Sequence, residues 1–510
     1  CNTTGTYNTA IGHDANRNNT TGTSNTSLGN DALKSNTTGS GNIAIGWRTL
    51  ISSTTATSNI GIGNDSLFVN TTGVSNVAIG NAAARDNNSS GTVAVGHESS
   101  RHQTGIGNTS LGYLSLLGSS GLSTGTYNTA IGYCSMYSNT TGSENTAIGF
   151  WALKSNTAGY LNVAIGRSAM ASATGSNNVA VGFASLSNAT SQYNQAIGRK
   201  ALNQTTTGSG NSAIGHEALY FNTTGTTNTA LGHQALQLNT TGNNNVAVGG
   251  LTLNSNTTGE HNVAIGHKAL CSSVGNSYIV AIGYRSMCGA TQGGNSVAVG
   301  HCTLTVNAGN TVSVAIGCGA LKENTTGFGN VAVGNEALLT NVTGNGITAV
   351  GLSAGRLTTG SYNTFVGNVA GCSNTTGAAN VVVGRGALKL NDGSNNTIIG
   401  TDAACLSTGL NDAVAVGMNA MCNHTGGGIA IGQYALKGTT TGTASTGGNN
   451  VAIGRCSQMK NTTGNSNVSV GNATLACNTT GHYNVAVGQT AMISNETGLQ
   501  NVAIGYQSQY

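Results

Sequence analysis

Six of the ten histidines occupy one place in a recurring phrase, directly after a glycine: His13, His97, His216, His233, His267 and His301. The same place elsewhere carries Trp47, Tyr133, Phe150, Tyr284 and Tyr506. Histidine can ligate metal, shuttle protons or stack as a flat ring. His216 and His233 lie one phrase apart with Glu217 beside the first, the donor types of a two-histidine, one-carboxylate centre. Metal geometry repeated along the chain would need a fixed ligand set, and none recurs. The favoured reading is an exposed turn position whose planar side chains stack, and no metal or cofactor is expected.

Acidic residues fall one place later, at Asp14, Asp31, Asp65, Glu98, Glu217, Glu336 and Asp402. Arg48 lies between Asp31 and Asp65, and Lys200 one phrase before Glu217. This pattern predicts ion pairs between neighbouring phrases, modest in energy when exposed. Asp14 above Asp31 is a candidate calcium pair, but the repeat calcium motif G-G-x-G-x-D is missing. With 14 acidic residues in the chain, no acid–base pair stands out. There is no G-x-S-x-G elbow and no P-loop. The chain reads as non-enzymatic.

Four cysteine pairs recur one phrase apart: Cys271 with Cys288, Cys302 with Cys318, Cys405 with Cys422, and Cys456 with Cys477. Stacked at about 4.8 Å, their Cα atoms fall within disulfide range, although parallel Cβ vectors strain such bridges. Disulfides and free thiols both stay open. Asn-Thr-Thr-Gly is also an N-glycosylation sequon, as at Asn36, Asn70, Asn139, Asn222, Asn239 and Asn256,. The competing reading, and the favoured one, is a turn whose stacked Asn side chains form an amide ladder.

What must position these residues is the phrase itself: N-V-A-I-G-x-x-A-L-x-x-N-T-T-G-x-x, about 30 copies spaced mostly 17 residues apart. Numbering its positions from the first Asn, position 4 is always Ile, Val or Leu, as at Ile45, Ile79, Val95 and Ile148, and position 9 is usually Leu or Met, as at Leu50, Leu67 and Met136. Both are assigned to the core. Position 3 is nearly always Ala. Alternation puts it on the face opposite position 4, where it either packs tightly inside the strand or meets a neighbouring chain.

Two short extended segments, V-A-I and A-L-x, are separated by turns at Gly and at Asn-Thr-Thr-Gly. Such a unit is too short for a helical hairpin and cannot bury its apolar face alone, so stacking coil on coil is required. The expected fold is an all-β parallel β-solenoid (β-roll or β-helix) of about 30 coils, one continuous domain over 1–510. At about 4.8 Å per coil it would run roughly 140 Å. The absence of Pro agrees, because internal strands need every N–H in the ladder,. Breaks in the metre predict loop insertions near 113–127 and 437–450. Tyr510 runs into Cys1 with the phase unbroken, so the solenoid is expected to be uncapped at both ends and to continue, as part of a longer chain or by end-to-end stacking, with Cys1 at the junction.

At "NSVAVG" (Asn295 to Gly300) and "NVAIG" (Asn76 to Gly80) the unit resembles the head repeats of trimeric autotransporter adhesins and related phage and viral fibre repeats. The Asn-Thr-Thr-Gly turn makes the present unit longer than that family's. The resemblance implies a left-handed parallel β-roll with three chains side by side, on a cell or virion surface.

The net charge of +4 over 510 residues gives no footprint for nucleic acid. No apolar run is long enough for a transmembrane helix. The expected function is an extracellular structural fibre that associates with itself, end to end and laterally. The alternative is an adhesin or tail-fibre module recognising carbohydrate or a host surface through the row that includes Trp47, Tyr133, Phe150, His216, His233 and Tyr284. Ice binding is disfavoured, since adjacent Thr residues on a strand face opposite ways.

Overall fold

The structure is a computed structural model that describes all residues except 1, 121–122, 292–293, 308, 310–311, 439–443 and 510. The chain divides into two compact units, Cys1–Thr258 and Gly259–Tyr510. Each is an all-β parallel β-solenoid. The first carries fifteen strands, β1 (Thr9–Ile11) to β15 (Val246–Val248), and the second fifteen more, β16 (Val263–Ile265) to β30 (Val502–Ile504). No helix occurs among the described residues.

Each repeat is one rung, and each rung has one strand, at positions 2 to 4. Within a unit neighbouring strands pair in parallel without a register shift, as Ile43↔Ile60, Ala44↔Gly61 and Ile45↔Ile62. The ladder continues past the strand in both directions. Ile43 N–H donates to the Asn59 carbonyl of the next rung at 2.8 Å, while Gly46 N–H donates back to Leu28 at 2.8 Å.

The second expected extended segment, A-L-x, is not a strand. Positions 7 and 9 sit in the left-handed region, for example Arg48 at φ 56° and Leu50 at φ 52°. The alternating backbone turns successive N–H groups to opposite rungs: Arg48 donates to Asn30 behind it and Leu50 to Ser66 ahead. These bonds, repeated in rung after rung, offset the cost of about 1–2 kcal/mol that an L-residue incurs in this region. Arg and Leu carry no local signal for it, so the sequence could not announce it.

The core assignment is corrected at the strand. Position 3, not position 4, faces inward. Ala44, Ala78, Ala94 and Ala147 are fully buried, whereas Ile79 and Ile148 are 37% and 36% exposed. The Ala row therefore packs inside its own chain and is not a contact face for a neighbour. The reason is width. In most rungs position 9 supplies one large side chain (Leu33, Leu50, Leu67 and Met136, all fully buried), and opposite it the narrow interior usually holds only a methyl group.

Three successive rungs depart from this, with Phe365, Val382 and Ile398 at position 3, all fully buried, and the largest of them shows what must give way. Phe365 stands at position 3, fully buried, and position 9 is glycine in that rung and the one before. A Cβ on Gly371 or Gly355 would fall on the Phe365 ring, the latter only 2.7 Å from Cδ2.

Position 8, most often Ala, is also buried, as at Ala32, Ala83 and Ala152, and the other inward positions, 1 and 12, are mostly Asn. Asn42 Oδ1 accepts the Asn59 backbone N–H at 3.1 Å, and Asn42 Nδ2 donates to the Ala56 carbonyl at 2.8 Å. The same bonds recur in most rungs, so each position-1 amide satisfies backbone that the turns leave unpaired, as buried polar groups require. A second ladder runs through position 12, where Asn36 Nδ2 donates to Asn19 Oδ1 at 2.9 Å and to the Gly39 carbonyl at 3.0 Å.

Both expected insertions interrupt this second ladder. Their centres, 121–122 and 439–443, lie outside the described residues. The flanking chain regains register through isolated parallel bridges, Gln103↔Ser123 and His424↔Ser445. In each case a short Ser fills the Asn place after the insertion and a longer side chain fills it before. Gln103 Nε2 reaches two rungs on, to the Asn139 carbonyl at 3.0 Å. His424 Nδ1 lies 2.9 Å from the Ser445 carbonyl.

Candidate functional site

Position 6 directly follows a glycine whose φ lies near +130°, a backbone that turns the chain sharply out of the strand. This Gly cannot be replaced freely: a Cβ on Gly266 would stand 2.6 Å from the Gly283 carbonyl oxygen of the next rung. The position-6 side chains consequently emerge in register, one per rung. Trp47, Tyr133 and Tyr284 are each 46% exposed, and Phe150 is 37% exposed.

In the first unit they form an unbroken column over nine rungs. His97, Tyr113, Tyr133 and Phe150 stack with centroids 5.2 Å apart and planes within 15°. Arg167 lies between Phe150 and Phe183, 5.6 and 5.7 Å from their centroids, and Arg199 lies 5.9 Å from Phe183. These are cation–π distances. Arg199 Nη1 is 2.8 Å from His216 Nε2, and His216 stacks on His233 at 5.3 Å. The second unit has a shorter column, His267, Tyr284 and His301, at 5.8 and 5.4 Å. Tyr113 and Phe183 were not singled out from sequence, although their place after Gly112 and Gly182 was the available signal.

This geometry decides what the row can do. Ring faces point along the stack and cover one another, so solvent meets mainly their edges. Trp47 follows the same rule, with the Arg48 guanidinium 3.9 Å over its ring. His216 Nε2 is engaged by Arg199 at 2.8 Å, and Glu217 Oε1 stands 3.9 Å from that nitrogen and 3.7 Å from Arg199 Nη1. Glu217 Oε2 accepts from Gln234 at 3.1 Å and Gln237 at 2.9 Å. The Gln234 hydrogen bond holds its carboxyl below the usual range. Lys200, expected beside Glu217, lies over the Tyr220 ring at 5.6 Å.

The other expected charges pair as follows. Arg48 clamps Asp65 through two bonds of 2.8 and 2.7 Å. Among the described residues one group brings metal-type donors together, His13, Asp14 and Asp31. Lys34 Nζ already bonds both carboxylates at 2.9 Å. That bond lowers the Asp14 carboxyl and raises the Lys34 ammonium. An ammonium stands where a cation would bind.

All ten described cysteines are free thiols, and Cys1 lies outside the described residues. The four pairs differ in geometry. Cys271 Sγ donates to the Cys288 carbonyl at 3.2 Å. Cys302 and Cys318 flank the His301 imidazole, 3.8 Å from Nε2 and 3.7 Å from Nδ1. Cys477 Sγ lies 3.9 Å from Lys460 Nζ. Cys405 and Cys422 are hydrogen-bonded to each other, which raises Cys405 and pulls Cys422 down to about 7.

Asn36, Asn70, Asn139, Asn222, Asn239 and Asn256 are all fully buried. Their Nδ2 atoms, which a glycan would modify, lie within the ladder, as Asn239 to Asn222 at 2.9 Å and Asn256 to Asn239 at 2.8 Å. A folded rung presents no glycan acceptor there.

The chain is thus an all-β parallel solenoid with a 17-residue repeat, lined inside by amide ladders and outside by a column of stacked planar groups. No protein-family model matches it, and no curated protein does.

Proposed function

We propose that this protein is a non-enzymatic structural fibre of an extracellular, cell-surface or virion-surface setting, self-associating end to end and laterally. The observation that carries the reading is the doubled ladder. Rungs are hydrogen-bonded to their neighbours through backbone and, in most repeats, through buried Asn amides as well, so stiffness along the stack is built into the repeat. A further copy placed on an open rung would extend the same pattern of donors and acceptors. No cluster of acids, bases or nucleophiles interrupts the repeat among the described residues.

The adhesin reading has one observation in its favour, the exposed planar column at position 6. Against it, sugars bind aromatic platforms by their faces, and these faces are occupied by neighbouring rings. Negative-stain electron microscopy of the full-length protein tests the fibre: filaments that lengthen with concentration support it, and short discrete particles of fixed length refute it. Glycan-array binding that disappears when Trp47, Tyr133 and Phe150 are replaced would favour the adhesin instead.

A further inference from the structure

Tyr113 and Tyr133 form the one tyrosine–tyrosine stack among the described residues. Their centroids lie 5.2 Å apart and their planes within 10°. Elsewhere a tyrosine ring meets histidine or phenylalanine, as Tyr284 meets His267 and His301, Tyr220 meets Phe221, and Tyr278 meets His261. Rings without a phenol close the pair on either side, His97 against Tyr113 and Phe150 against Tyr133. Both tyrosines are 46% exposed, so a reagent in solution reaches them.

The backbone fixes this meeting. Strands β7 (Thr109–Leu111) and β8 (Thr129–Ile131) pair in parallel, with Leu111 opposite Ile131. Beyond the strands, Gly132 N–H donates to the Leu111 carbonyl at 2.8 Å and Cys134 N–H to the Tyr113 carbonyl at 3.0 Å. The two tyrosine Cα atoms are therefore held one rung apart, about 4.8 Å. Rotation about the side-chain bonds brings the ring edges together without moving the backbone.

These two rungs are also the ones that the first insertion separates. Tyr113 and Tyr133 are 20 residues apart, whereas other neighbouring position-6 residues of the first unit are 16 or 17 apart. The amide ladder of position 12 is interrupted there, with Gln103 bridging to Ser123 instead.

We propose that Tyr113 and Tyr133 are a site of oxidative cross-linking, coupled into dityrosine by a one-electron oxidant such as a haem peroxidase using hydrogen peroxide. Each phenol gives up one electron and its O–H proton. The two phenoxyl radicals join through a bond between ring carbons ortho to the oxygens. The hydrogens on those carbons move to the oxygens and restore two phenols. The chain loses two hydrogens in all, and one hydrogen peroxide takes up the two electrons and two protons to become two waters. His97 and Phe150 are harder to oxidise than a phenol, so the radicals stay on the pair. The new bond closes 113–133 into a covalent loop around the insertion, at the place where the amide ladder is broken. Such a loop restricts local opening of the two rungs.

The test treats the full-length protein at low micromolar concentration with a haem peroxidase and limiting hydrogen peroxide. Dityrosine fluorescence, intact mass and linked peptides are followed. Wild type is compared with Tyr113→Phe and with Tyr113→Phe combined with Phe150→Tyr. Both variants keep a six-membered ring at each of these places. The double variant moves the phenol pair one rung along, because Phe150 stacks on Tyr133 at the same 5.2 Å and 10°. The expected wild-type product is a monomer lighter by two hydrogens, with Tyr113 linked to Tyr133. The single variant should give almost none, and the double variant should recover it as a link from Tyr133 to position 150. In cross-linked wild type, hydrogen exchange at the β7 and β8 amides should slow by about tenfold or more.

Cross-links scattered over other exposed tyrosines, such as Tyr7, Tyr127 and Tyr193, would overturn the inference. So would linkage only between chains, a double variant that recovers nothing, or unchanged exchange after cross-linking. Capture of Tyr133 by the Cys134 thiol, which is hydrogen-bonded to it, would overturn it as well. Short discrete particles in the micrographs would refute the fibre and leave this cross-link in place, so the two failures are separable.

Discussion

Phe365 offers a sharp test of the idea that a rung's interior has a fixed volume shared between positions 3 and 9. It is fully buried, and Phe→Ala at such a site costs about 3–5 kcal/mol, because the cavity adds to the lost transfer energy. In most rungs Ala at position 3 faces Leu or Met at position 9. The variant Phe365→Ala should therefore be rescued by Gly355→Leu with Gly371→Leu, which recreate that arrangement. Both glycines have φ +56°, close to Leu33 at 53° and Leu50 at 52°, so leucine adds no backbone strain beyond what other rungs already carry. Burying two leucines returns about 1.5–3 kcal/mol each, enough to bring the triple variant to within about 1–2 kcal/mol of wild type. A solenoid opens locally, so global melting is the wrong probe. Hydrogen exchange by mass spectrometry over 347–371 is the right one. The single variant should lose protection there by a factor of a hundred or more, and the triple variant should regain most of it. A triple variant no better protected than the single one, or a single variant indistinguishable from wild type, would refute the shared-volume argument.

Asn42→Ala strands the Ala56 carbonyl and the Asn59 N–H, which should cost about 2–6 kcal/mol at 1–3 per buried orphan; exchange at the Asn59 amide should accelerate strongly, whereas exposed Asn81→Ala should stay within about 0.5 kcal/mol. His424 is held down to about 4 by burial, so the unfolded chain takes up a proton first. Local stability should fall as pH drops below about 6.5 and level off below about 4, a loss of about 3 kcal/mol. Thermal unfolding of His424→Asn, which restores the usual residue of that position, should lack this pH dependence. Exposure to excess oxidised glutathione should bridge Cys405 to Cys422 before Cys271 to Cys288, seen as the loss of two hydrogens and a linked peptide; the reverse order would contradict the sulfur geometry. Gly266→Ala forces a methyl to 2.6 Å from the Gly283 oxygen and should abolish exchange protection in that rung, and full retention would show that the rungs can spread.

The sequence alone determined the architecture. A 17-residue phrase too short to bury its own apolar residues, without Pro and rich in Gly and Asn, leaves stacked parallel rungs as the solution, and the structure agrees strand by strand. The amide ladder and the stacked rings of Tyr133 and Phe150 were legible too, because identical residues at a fixed period must meet when rungs stack. What tertiary structure alone decided was which side of the strand is inside. V-A-I alternates in either sense, and the aliphatic pair looks the better core until the large residue at position 9 is seen to fill the interior. That residue reaches inward from a left-handed backbone at Leu50 and its counterparts, a conformation imposed by hydrogen bonds to the rungs above and below. No property of leucine encodes it, and with it the stripe of Ile and Val was turned outward.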